Sequence, residues 1–257
     1  ISACLVGSEM CIRDSYRRMK RLNSDGPPAM GSFSGNRPLG LGEFRVAMEQ
    51  AVVVDLRRPE AFGGAHIAGA FNIGAGQNLS MWAAWMLPAD RDLVLVGEET
   101  TDMGEAVRAL ARVGLDRVRG SLEGGMRTWI EAGLPLAHTP QMAVGELHAC
   151  QRHARAGVFV LDVRSNEEWK HGHIAGATHQ MAGELAGHLG DLPRDRTLYV
   201  VCGSGYRSSV AISLLQREGF TDLVNVVGGM GAWNAQRLPV TIGTEPTPPA
   251  PSVAQCC

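Results

Sequence analysis

One stretch of this chain occurs twice, and that repeat limits the fold more tightly than any single motif. Val53, Val54, Asp55 and Arg57 are followed by His66-Ile67-Ala68-Gly69-Ala70. About 107 positions later the pattern returns as Val160, Leu161, Asp162 and Arg164, followed by His173-Ile174-Ala175-Gly176-Ala177. At the far end of each copy, Gly124-Gly125-Met126 with Trp129 and Leu134-Pro135 answers Gly228-Gly229-Met230 with Trp233 and Leu238-Pro239. Self-similarity at one long period means that a single structural unit is used twice. The expected organisation is therefore a domain over residues 38–138 and a second over 141–240, with Ala137 to Gln141 as linker. A chain of 257 residues gives each unit roughly 100 residues, enough to bury a core of its own.

Within each unit apolar runs alternate with helix-forming stretches. In the second, the pattern predicts a helix over Val144 to Arg155 and a strand over Val158 to Asp162. A short helix opens near Ser165, a suitable N-cap just before Glu167 and Glu168. Further helices are predicted over Gly183 to Leu189, Ser208 to Arg217 and Met230 to Gln236, and strands over Leu198 to Val201 and Leu223 to Val227. This alternation predicts an α/β fold, two tandem domains each built on a mainly parallel sheet flanked by helices. Ligands of such sheets sit at the carboxyl ends of strands. Cys202 falls there.

The loop that follows is Cys202-Gly203-Ser204-Gly205-Tyr206-Arg207, and a helix starts directly after it. Backbone amides, a helix N-terminus and a guanidinium are thereby aimed at one sulfur, and each favours thiolate, the reactive form. Gly203 and Gly205 are expected to turn the backbone so that amides face inward as an anion-binding nest. Ser204 and Ser208 are expected to add hydroxyl donors, with Ser208 also a candidate helix cap, and Tyr206 to shape the rim. An inert buried cysteine is the bland alternative.

Other features narrow the field. A formal net charge of −2 offers nothing to nucleic acid or an anionic membrane. No apolar stretch approaches the roughly 18 residues of a membrane span. The cysteines (Cys4, Cys11, Cys150, Cys202, Cys256, Cys257) form no CxxC pair, which points to a reducing, cytoplasmic setting. His171 and His173 have no cluster of ligand types around them, so no metal or other cofactor is expected. Asp55, Arg57, Asp162 and Arg164 follow strand ends and are expected to form local ion pairs. Trp82, Trp85, Trp129, Trp169 and Trp233 are expected in cores or interfaces.

The ends stand apart. The chain opens on Ile1 and is expected to be a fragment, with residues 1–37 a non-native or linker segment. Residues 4–15 resemble translated sequencing-adapter read-through, which sets Cys4 and Cys11 aside. Residues 241–257 are expected to be a disordered tail, Pro-rich and without periodicity, its Cys256 and Cys257 a scar rather than a sulfur relay.

Taken together, Asp-x-Arg, His-Ile-Ala-Gly-Ala, Cys-x-x-Gly-x-Arg and Gly-Gly-Met-x-x-Trp resemble the rhodanese (sulfurtransferase) family, in tandem over residues 38–240. The resemblance implies Cys202 as nucleophile and persulfide carrier, Arg207 as its catalytic cation, and Gly203, Ser204, Gly205, Tyr206 and Ser208 as the cradle of a small sulfur-containing anion or persulfide. A thiol acceptor is implied as well. Tyr16 to Pro28, leading into the first repeat, resembles the junction of fusions in which a metallo-β-lactamase-fold persulfide dioxygenase precedes two rhodanese domains. Such a domain is then an expected missing partner.

The first repeat departs from the family at its centre. Gly97 stands opposite Cys202, and the loop Gly97 to Glu105 has no arginine opposite Arg207. It carries Glu98, Glu99, Asp102 and Glu105, which are expected to repel an anion, so a structural role is expected there. Two rival readings of the whole chain remain at this point. A cysteine-dependent phosphatase or arsenate reductase uses a related cradle with one more loop residue, and a tandem interaction module needs no chemistry at all.

Overall fold

The computed structural model describes Ser24, residues 36–153 and residues 158–243. The adapter-like segment with Cys4 and Cys11, the junction run apart from Ser24, Arg155, and the tail from Thr244 through Cys256 and Cys257 lie outside these residues. The described residues up to Arg58 with His66–Leu136 form one compact unit, and Pro59–Ala65 with those from Ala137 onward form another.

In the first unit the sheet contains β1 (Pro38–Leu39), β2 (Val52–Asp55), β3 (Phe71–Asn72), β4 (Leu93–Val96) and β5 (Val118–Leu122), in the order β1-β5-β4-β2-β3. The second sheet contains β6 (Gln141–Ala143), β7 (Phe159–Asp162), β8 (Thr178–His179), β9 (Leu198–Val201) and β10 (Leu223–Val227), in the order β6-β10-β9-β7-β8. Every strand pair in both is parallel. The α/β architecture expected from the alternating pattern is the one observed. No helix among the described residues is long and apolar enough to cross a membrane.

The helices in chain order are α1 (Leu41–Met48), α2 (Pro59–Gly64), α3 (Leu79–Met86), α4 (Met103–Ala111) and α5 (Gly125–Glu131), then α6 (Val144–His153), α7 (Asn166–His171), α8 (Tyr206–Arg217) and α9 (Gly229–Ala235). One predicted helix takes another form. Gly183 to Leu189 falls in two 3₁₀ pieces, Ala182–Gly187 and Leu189–Asp191, because Gly183, Gly187 and Gly190 remove the propensity a continuous α-helix needs. β6 takes up Gln141, the last residue expected in the linker.

Strand parity places the site. Tyr199 and Val201 of β9 and Val224 and Val226 of β10 share one core with Val144, Leu147, Val160, Trp169 and Trp233. Side chains alternate along a strand, so Leu198, Val200 and Cys202, and likewise Asn225, point to the opposite face. All four residues of β9 are buried, as expected for the central strand of a sheet covered on both faces.

Candidate active site

Cys202 follows the last residue of β9 and is fully buried, with 0% exposure. The backbone of its loop is fixed from behind. Met230 N–H donates to the Cys202 carbonyl at 2.7 Å and Gly231 N–H to that of Gly203 at 2.8 Å, so the first turn of α9 grips the two carbonyls. Gly205 has φ +106 and is the N-cap of α8; this left-handed turn carries its N–H back onto Cys202 Sγ at 3.1 Å. An N–H directed at sulfur stabilises negative charge there.

Ser208 stands in the first turn of α8, behind the Gly205 cap, and so does not cap the helix itself. Its hydroxyl is 3.5 Å from Cys202 Sγ, 3.0 Å from the Gly205 carbonyl and 2.7 Å from Asn225 Oδ1. A hydroxyl has one proton to give. The Asn225 amide oxygen and the Gly205 carbonyl are both acceptors, so a thiolate at Cys202 competes with them for that one proton. Asn225 is buried and was not among the expected site residues; its one signal in the sequence is a lone amide within the apolar run of β10. Ser208→Ala is expected to slow the reaction of Cys202 with a sulfur donor roughly three- to ten-fold, the worth of one ordinary hydrogen bond. Stopped-flow measurement at fixed pH checks it, and an unchanged rate removes Ser208 from the site.

Arg207 does not project alone into the loop. Its Nη1 donates to Glu168 Oε2 at 2.5 Å and its Nη2 to Oε1 at 2.7 Å, a bidentate pair. Glu168 is at the same time the N3 residue of a capping box with Ser165, whose N–H and hydroxyl reach Oε2 at 3.1 and 2.9 Å. One carboxylate thus ties α7 to α8. The Arg207 guanidinium beside it, helped by the Ser165 donors and opposed by partial burial, pulls the Glu168 carboxyl down to about 2 from 4.5. The glycine at 203 has its explanation here. Gly203 does not adopt positive φ, but a Cβ on it would stand 2.8 Å from Arg207 Nη2.

A carboxyl held more acidic in the folded state stabilises the fold above its unfolded value and loses that contribution as pH falls. The stability difference between the wild type and Glu168→Gln is therefore expected to be constant above about pH 5 and to shrink between 4.5 and about 2. Urea midpoints across pH read it; a difference that persists at pH 2 contradicts the assignment.

The other expected residues fall as follows. Ser204 is exposed at the crest of the loop, and Tyr206 is half-buried at the start of α8, where burial pushes its phenol up. His173 is buried, contacts the Trp169 carbonyl through Nδ1 at 3.0 Å and stacks on the Trp169 ring, whereas His171 contacts the Glu167 carbonyl. Asp162 and Arg164 form a buried pair at 2.6 Å, and Asp55 and Arg57 form its counterpart at 2.7 Å. Trp82, Trp129, Trp169 and Trp233 are buried, but Trp85 on α3 is 39% exposed. No group of three or more metal-ligating side chains occurs among the described residues.

The first repeat confirms the register. Met126 N–H donates to the Gly97 carbonyl as Met230 does to that of Cys202. A Cβ on Gly97 would overlap Met103 Cε and lie 2.9 Å from Thr101 Oγ1, so the space is filled. Three of the four carboxylates of this loop are engaged, while Glu98 is exposed. Asp102 caps α4, Glu105 is paired with Arg108 and Arg112 and thereby made more acidic, and Glu99 pairs with Arg127.

A family model described as "Rhodanese-like domain" matches residues 42–132 and 145–236. The thiosulfate sulfurtransferase GlpE of Shewanella oneidensis is 36% identical over 77 residues, 30% of this chain and 76% of its own. The putative sulfur carrier protein YrkF of Bacillus subtilis is also 36% identical over 77 residues, 30% of this chain; the match spans 42% of its length. Among solved structures, a thiosulfate sulfurtransferase from Pseudomonas aeruginosa aligns over 84% of this chain and 45% of its own, at 21% identity and a TM-score of 0.38. With the model matched in both units, each built on a parallel α/β sheet, the chain belongs to the rhodanese family as a tandem pair of rhodanese-like domains.

Proposed function

We propose that the second domain is a working sulfurtransferase and that Cys202 carries the sulfur. The thiolate attacks the sulfane sulfur of thiosulfate or of a low-molecular-weight persulfide. The bond to the leaving group breaks with its electron pair on sulfite or thiolate, and Cys202 is left as a persulfide. A thiol or another nucleophile then takes the outer sulfur and restores the Cys202 thiolate. The observation that carries this reading is the sulfur of Cys202, held at the end of the central strand with the Gly205 N–H on it at 3.1 Å and the Ser208 hydroxyl beside it. Its burial favours a donor whose reacting end is one thin terminal sulfur.

The phosphatase reading is disfavoured by Arg207. A tetrahedral oxyanion is held by a guanidinium that presents both terminal nitrogens to it, and here both are directed to Glu168. The first domain has Gly97 where Cys202 stands, with the Met103 and Thr101 side chains packed against it, and its role in this reading is structural. Intact-protein and peptide mass spectrometry after incubation with thiosulfate test the proposal, the expected result being a gain of one sulfur atom on Cys202. Hydrolysis of an aryl phosphate through Cys202 without any persulfide overturns it.

A further inference from the structure

The buried ion pairs of the two repeats are of two kinds. Asp55–Arg57 and Asp162–Arg164 are the same construction, with the arginine Nε 3.0 and 2.9 Å from its aspartate Oδ1. A pair retained in the copy that has no cysteine serves the fold. Glu168–Arg207 is different, because the corresponding residues of the first repeat are Ala61 and Asp102. Both partners are missing where the nucleophile is missing, so this pair goes with the loop's chemistry.

Its geometry says what it does there. A Cβ on Gly203 would lie 2.8 Å from Arg207 Nη2 and 3.7 Å from Glu168 Oε1, which places the carboxylate at the loop along with the guanidinium. Arg164 is already taken by Asp162. Among the described residues at the loop, what then attracts an anion is the neutral donors, the Gly205 N–H and the Ser208 hydroxyl, and the partial charge of the α8 N-terminus, about half a unit. Glu168 remains ionised at any working pH.

We propose that Glu168, by neutralising Arg207, sets the charge of the donor, so that the site takes a sulfane-sulfur donor with one negative charge in preference to the dianion thiosulfate. This rests on the reading of Cys202 as the sulfur carrier. The chemical step is the same for either charge. The Cys202 thiolate bonds the outer sulfur, and the S–S bond breaks with its pair on the departing group. Thiosulfate releases sulfite, methanethiosulfonate releases methanesulfinate, and both leave the anionic Cys202 persulfide. Charge is conserved in each case, and no oxidant is required.

Methanethiosulfonate and thiosulfate have similar tetrahedral leaving groups and differ by one charge, so they are the probes. The readout is the second-order rate constant for persulfide formation, followed by rapid quench and mass spectrometry on the whole chain. Wild type is expected to favour methanethiosulfonate at least about ten-fold, and Glu168→Gln to shift that preference toward thiosulfate by a further factor of about ten. Glu168→Asp, which keeps the charge, is expected to hold the wild-type ratio within about two-fold. A wild type that favours thiosulfate overturns the inference without recourse to any variant. A ratio unchanged in a folded Glu168→Gln protein overturns it as well. Persulfide formed from both donors at an unaltered ratio leaves the sulfurtransferase reading standing, whereas no persulfide from either donor removes both.

Discussion

Replacing Cys202 by serine is expected to lower sulfur transfer by a factor on the order of 10⁴ or more, because the step that holds the sulfur loses its nucleophile. Serine keeps the shape of the side chain, and an alkoxide is far less available than a thiolate near neutral pH. The loop itself is expected to remain in place, since the Cys202 carbonyl still receives the Met230 N–H and the Gly205 turn is unaffected. The comparison variant is Cys150→Ala. Cys150 is half-buried on α6, away from the loop in sequence, and its removal is expected to leave the rate within about two-fold, as for an ordinary site. Steady-state turnover with a thiol acceptor, together with the mass of the Cys202 peptide, reads both. Transfer retained in Cys202→Ser would mean that the sulfur is carried elsewhere.

The second large effect belongs to Gly229, which does no chemistry. It has φ +51, and a Cβ built on it would overlap the Cys202 carbonyl oxygen and stand 2.9 Å from the carbonyl carbons of Cys202 and Gly203. Gly229→Ala must therefore accept a left-handed backbone with a side chain and also break the Met230 hydrogen bond to that carbonyl. The expected destabilisation is about 2–3 kcal/mol, from about 1–2 for the backbone and about 1 for the bond. Activity is expected to fall with it, since the same carbonyl anchors the loop. Gly190→Ala is the control: a Cβ there meets nothing within 4 Å and the backbone is not left-handed, so the change is expected within about 0.5 kcal/mol. Urea denaturation of both proteins decides; equal midpoints would show that the contact between α9 and the loop contributes nothing.

The parts of the fold legible in the sequence were those that carry their own periodicity. β7, β9 and β10 are four or five residues long and mostly apolar, and Ser165 with Glu168 announces the start of α7. The edge strands β1, β3, β6 and β8 have two or three residues each. Runs that short show no pattern, and they become strands only because a neighbour offers an open edge. The helix predicted over Gly183 to Leu189 became two 3₁₀ turns for a local reason that the glycines already signalled.

The candidate site divides in the same way. Cys202, Gly205 and Arg207 were legible because they are contiguous, and contiguous residues share a loop in any fold. Asn225 and Glu168 were not, because they reach the loop from β10 and from α7. Glu168 is 39 residues from Arg207 in the chain, and nothing in its own neighbourhood distinguishes it from a helix-capping glutamate. Its second role emerges from the ion pair with Arg207 in the structure, and Ala61 in its place in the first repeat accords with it.

The sequence by itself determined that one unit is built twice, that each unit is an α/β domain, and that only the second has a cysteine at the head of its loop. These follow from identity and spacing along the chain, which folding does not alter. The tertiary structure decided the charge beside the Cys202 loop. A cation next to Cys202 in the sequence became half of an ion pair, because parallel sheet topology brings the start of α7 against the start of α8. Electrostatics depends on distance through space, and the repeat pattern carries no record of that distance.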